Sequence, residues 1–182
     1  MTTVTALPFS RPLTRADLED LPDDGHRYEL IDGTLLVGPA PSVRHQQVVG
    51  ALHLLLSAAC PDGLVVMLAP LAVALADDTE VQPDLLVAPR EQFTRKELAG
   101  GPLLAVEVLS PSTRRVDLLL TRDRLQSAGV ASYWLVDPDE PAVTVLELRA
   151  GTYVEVGRAV GDESLRVEAP FPLELVPSAL QD

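Results

Sequence analysis

The stretch PLLAVEVLSPST, residues 102–113, carries an apolar run with no alternation between wet and dry positions. A strand of that kind is covered on both faces, which demands a layered domain around it. The neighbouring segments fit such a domain. LVVML, LAVAL and DLLVA, between residues 64 and 88, are short, apolar or β-branched, and separated by Pro70, Asp77-Asp78 and Pro83. They read as strands, as does SYWLVD at 132–137, while AVTVLEL and TYVEV on either side of Arg149 to Gly151 form a late hairpin. Asp32-Gly33 inside YELIDGTLL is an earlier hairpin signal, because both central positions of such a turn need positive φ.

Helical signals are fewer. Thr14 caps a short helix over residues 15–20. Ser42 precedes Val48, Val49, Leu52, Leu55, Leu56 and Ala59, spaced as one helix face and ending before Pro61. A second long helix is expected from Thr113 to Ala128, with Gly129 as its C-terminal cap. The tally is an α/β (α+β) domain, a mixed central β-sheet flanked by helices.

Residues 1–13, with Pro8 and Pro12, read as a flexible arm, and residues 14–182 as one domain without internal repeats. At 182 residues and 47% hydrophobic content the chain can bury a core without staples. Its single cysteine, Cys60, makes no internal disulfide and reads as a half-buried thiol near a helix end. The apolar segment 64–76 is broken by Pro70 and is shorter than the roughly 18 residues of a membrane helix. No secretory signal opens the chain, so the expectation is a cytoplasmic protein with no membrane partner. A formal net charge of −13 disfavours a surface built to coat nucleic acid.

Three carboxylates break the apolar pattern. Glu107 lies within the covered strand, sharing a face with Leu103 and Ala105 while Leu104, Val106 and Val108 point the other way. Asp84 follows Pro83 at the opening of DLLVA, and Glu29 lies within the first strand of the early hairpin. Carboxylates gathered in one sheet repel unless protonated or neutralised, and a hard divalent cation is a common solution. The alternative is that Glu107 pairs with an arginine and Asp84 merely caps a turn.

A Pro-Asp at one strand, a Glu 23 residues on in an apolar strand, and an upstream Glu resemble the PD-(D/E)XK restriction-endonuclease-like nuclease superfamily. YELIDGTLL, the helix opening at His45, VQPDLLVAP, VEVLSPST and AGVASYWLVDPDEP together resemble, more narrowly, the bacterial putative restriction endonuclease family, over residues 14–175. The resemblance implies Mg²⁺ or Mn²⁺ held by Asp84 and Glu107, with the Val108 carbonyl as a further ligand and Glu29 completing the cluster. It implies DNA as substrate and a homodimer.

The chain departs from that pattern at the lysine. The position two after Glu107 is Leu109, and the family's alternative position, four residues after the aspartate matching Asp117, is Thr121. Lys96 is the only lysine and lies between two strands. Asp117, Thr121 and Arg124 share a face of an ideal α-helix, so Arg122 or Arg124 could take the lysine's electrostatic role, though arginine does not deprotonate to act as a base. His45 could touch phosphate or a metal-bound water, or be a surface histidine beside a cap. Arg114 and Arg115 could meet DNA phosphates or form a solvated helix face. His26, His53, Tyr133 and Trp134 read as structural. Three classes remain open: a metal-dependent DNA endonuclease weakened by loss of the lysine, a catalytically inactive nuclease-fold module binding DNA or protein, and a scaffold whose carboxylates are ion-paired.

Overall fold

The computed structural model describes residues 11–22, 24–110, 114 and 116–181; the side chain of Asp117 lies outside this description, as do Arg115, Thr113 and residues 1–10 of the expected arm. The chain runs through α1 (Arg15–Leu18), β1 (Arg27–Ile31), β2 (Thr34–Gly38), α2 (Val43–Ala59), β3 (Leu64–Leu68), β4 (Ala72–Ala76), β5 (Thr79–Val81), β6 (Leu85–Pro89), β7 (Glu97–Ala99) and β8 (Leu104–Val108). A π-helical segment, Val116–Thr121, leads into α3 (Arg122–Ser127). Then follow β9 (Ser132–Asp137), β10 (Ala142–Arg149), β11 (Thr152–Val160), β12 (Leu165–Val167) and β13 (Leu173–Leu175).

The mixed central sheet is six-stranded, in the order β11-β10-β9-β8-β6-β3, with β8 and β9 parallel and the other pairs antiparallel. A second mixed sheet, β2-β1-β5-β4-β7, is completed by two three-residue strands, β5 and β7, too short to show periodicity. The single sheet layer read from the pattern is therefore two sheets, with β12 and β13 as a separate ribbon.

Both faces of β8 are covered. Leu104, Val106 and Val108 pack in one cluster with Trp134 of β9 and with Val48, Val49, Leu52 and Leu56 of α2. Ala105 and Leu109 pack on the other side with Ile31, Val73, Val81 and Leu98 of the second sheet and Leu125 of α3. Alternation along the strand thus sends successive side chains into two different cores. No helix among the described residues is long and apolar enough to cross a membrane.

Local chemistry sets the ends of these elements. Ser42 Oγ accepts from the His45 backbone N–H and starts α2. Gly129, at φ 78°, follows α3 as a C-cap glycine does. The helix expected over 113–128 is α-helical only in its last part. From Val116 to Thr121 the winding is π-type, with i→i+5 bonding, so the i, i+4, i+7 spacing drawn for Asp117, Thr121 and Arg124 does not hold there.

Asp32 and Gly33 take φ of 51° and 71° in the β1–β2 turn. A Cβ on Gly33 would stand 2.5 Å from Pro12 Cβ and 3.1 Å from the Leu13 carbonyl oxygen, whereas one on Gly25, at φ +83°, meets nothing within 4 Å. Gly25→Ala should therefore cost about 1–2 kcal/mol from the backbone conformation alone, and Gly33→Ala measurably more. Urea unfolding of the two variants checks this, and equal losses would show that the turn yields freely.

Candidate active site at the seam between the sheets

Continuing the β6–β8 register, in which Leu85 faces Val106, places Asp84 opposite Glu107. Both are nearly closed to solvent, at 5% and 3% exposure. The second sheet supplies the third acid, Glu29 on β1, and with it Arg27 two residues earlier on the same face of the strand. Arg27 Nη1 donates to Asp84 Oδ1 at 3.0 Å and Nη2 to Glu29 Oε1 at 3.2 Å. One guanidinium fork thus ties the two sheets together.

The other donors are arranged around the same acids. Asp84 Oδ2 accepts from the Val108 backbone N–H at 2.9 Å and lies 3.1 Å from His45 Nε2, so His45 presents that nitrogen as its N–H. Glu29 Oε1 also accepts from the Gln82 backbone N–H at 2.6 Å, and Gln82 Nε2 donates to the Tyr28 carbonyl. Arg27 Nε, His45 Nδ1 and Gln82 Oε1 are buried without a hydrogen-bond partner among the described residues.

The electrostatics follow from this enclosure. Burial opposes the Arg27 charge, but Glu29, Glu107 and Asp84 together outweigh it, and the guanidinium is held above its ordinary range. Burial likewise opposes ionisation of Asp84. The His45 hydrogen bond, the Arg27 charge and the Val108 N–H outweigh that penalty and keep the carboxyl below its usual value.

The remaining residues singled out in the sequence lie in different surroundings. Thr121 is buried at 3% exposure. Arg122 Nη2 donates to the Tyr153 carbonyl at 3.4 Å, and Arg124 pairs with Asp32 at 3.1 Å and with Asp123. Arg114 donates to Asp137 Oδ2 at 2.6 Å, while Arg44, on the first turn of α2, reaches Asp139. Lys96 is exposed, 3.8 Å from Glu19. Arg115 lies outside the described residues. Val108 meets Asp84 through its N–H, and His45 meets Asp84 from within the protein at 8% exposure.

Sequence reading missed Arg27 and Gln82. Arg27 had a usable signal, because residues i and i+2 of a strand share a face and Glu29 was already a candidate. Gln82 engages Glu29 mainly through its backbone, which side-chain chemistry does not announce.

A divalent ion does not suit this donor set as it stands. Mg²⁺ demands near-octahedral oxygens at about 2.0–2.1 Å. Both Asp84 oxygens are engaged, one by the guanidinium and the other by two donors. Among the described residues no group of three or more His, Cys, Asp and Glu side chains could hold a metal ion.

The architecture is that of a nuclease-type mixed α/β domain. It is similar to the crystal structure of a putative nuclease belonging to DUF820 from Anabaena variabilis, with a TM-score of 0.73 and 22% identity, over 93% of this chain and 97% of that one. The model of the Uma2 family, described as putative restriction endonuclease, matches residues 15–180, and this chain belongs to that family. No curated protein matches it.

Proposed function

We propose that this chain is a nuclease-fold DNA-binding module whose phosphodiester-hydrolysing centre is silenced. The observation that carries this reading is the Arg27 guanidinium lying between Asp84 and Glu29, where hydrolysis needs free carboxylates to organise a metal and its water. Thr121, at the position that the family resemblance assigns to lysine, supplies neither a positive charge nor a base. Family membership supports DNA as the ligand class. Arg44 and Arg114, each about half exposed and paired with Asp139 and Asp137, are two guanidiniums that could exchange those acids for phosphates.

One feature favours a second reading, the divalent-metal-dependent endonuclease: Asp84, just ahead of β6, comes opposite Glu107 of β8 when the β6–β8 register is continued by one residue. Plasmid nicking with Mg²⁺ or Mn²⁺, beside anisotropy on a labelled duplex, separates the two. The expected result is binding that weakens steeply between about 50 and 200 mM salt, no nicking, and no gain from Thr121→Lys while Arg27 remains. Arg44→Ala and Arg114→Ala should weaken binding without altering sequence preference. Metal-dependent nicking by the unaltered chain, lost in Asp84→Asn, establishes the endonuclease instead.

A further inference from the structure

We propose that the Arg27 guanidinium is the resident cation of the acidic site, so that the chain needs no divalent metal to hold its carboxylates together, and that removing this charge turns the site into a metal binder. The inference rests on the silenced centre of the functional reading above but not on DNA binding, which a Mn²⁺ titration does not measure.

The geometry makes the case. Nη1 and Nη2 of one planar group each take a different carboxylate, at 3.0 and 3.2 Å, from two separate sheets. Such a fork spans two acids held apart, whereas a bare ion draws its oxygens inward to about 2.0–2.1 Å. Arginine stays charged at every pH a protein survives, so it neutralises these acids permanently and without dissociating. The tether is short: Arg27 and Glu29 belong to the same five-residue strand, and the side chain is only 27% exposed. Asp84 is closed on its other oxygen by His45 and the Val108 N–H, which leaves the guanidinium side as the face an incoming cation would have to share. With the charge gone, Asp84 and Glu29 face each other across the gap it spanned, two carboxylates to which water can add the remaining ligands of an ion.

The test uses the full chain and Mn²⁺ alone as probe, read by electron paramagnetic resonance titration and by thermal unfolding. Unaltered protein should leave the Mn²⁺ signal free and show the same Tm with EDTA or Mn²⁺. Arg27→Gln, which keeps hydrogen-bond donors without the charge, should bind one Mn²⁺ per chain and gain about 5 °C or more in Tm at 100-fold excess over Kd. Arg27→Gln/Asp84→Asn should lose that binding. If Arg27→Gln folds only when Mn²⁺ is present, the proposal is also supported. Mn²⁺ binding by the unaltered chain that disappears in Asp84→Asn overturns it, as does a folded Arg27→Gln that ignores Mn²⁺. The unaltered-chain arm stands whether or not the variant folds, and plasmid nicking enters neither readout.

Discussion

Trp134→Ala should destabilise the native state by about 3–5 kcal/mol, close to the upper end for truncating a single core side chain. Trp134 has no solvent exposure and sits on β9 between Val106 of β8 and Val145 of β10. The cluster it belongs to draws on α2, the six-stranded sheet, the β12–β13 ribbon and the C-terminal segment, so the hole would open within the core these elements share. The indole N–H donates to Ser132 Oγ at 3.1 Å, and its loss also strips a buried hydroxyl of its partner. Trp134 is the only tryptophan, so unfolding must be followed by circular dichroism in urea. A loss below about 1 kcal/mol would mean that the sheet and helix collapse onto the gap, contrary to the close packing of protein interiors.

Asp84→Ala should cost a comparable amount, about 3–5 kcal/mol near neutral pH, for an electrostatic reason. The change removes the acceptor of Arg27 Nη1, of the Val108 N–H and of His45 Nε2 in one step. Glu29 still holds Nη2, but the rest of the guanidinium is left buried. The pH dependence has a definite sign. The Asp84 carboxyl is depressed in the folded state, so its contribution is complete above the unfolded carboxyl value, about 3.9, and fades as pH falls through the folded one. The gap in unfolding free energy between the two proteins should therefore be full at pH 7 and shrink toward pH 3. A gap that is constant with pH would assign the loss to packing instead of charge.

Legibility of the fold follows the length and chemistry of its parts. The Asp32-Gly33 turn, the Ser42 cap, the 17-residue α2 and the β10–β11 hairpin were readable because each carries its own local signal. The second sheet was not. Thr79–Val81 and Glu97–Ala99 hold three residues each, and their pairing with Leu30 and with β4 is a tertiary fact. The alternating faces of β8 were readable from residue parity alone. The site divides in the same way. Asp84, Glu107 and Glu29 stood out as acids among apolar neighbours, whereas the alternative had an arginine on Glu107 and Asp84 as a turn cap, and the arginine found, Arg27, bonds Asp84 and Glu29. The contact of His45 with Asp84 spans 39 residues and leaves no mark in either segment. The π-type winding before α3 was equally hidden, since its composition suits an ordinary helix.

The seam between the sheets carries a consequence for how this centre can come into being. Arg27 and Glu29 arrive on one slab of the molecule and Asp84, Glu107 and Val108 on or beside the other. No excised hairpin or half-molecule can hold the constellation, and a breathing motion that parts the slabs dismantles it without disturbing either one internally. The centre is thus a clasp, intact only while the whole body is shut.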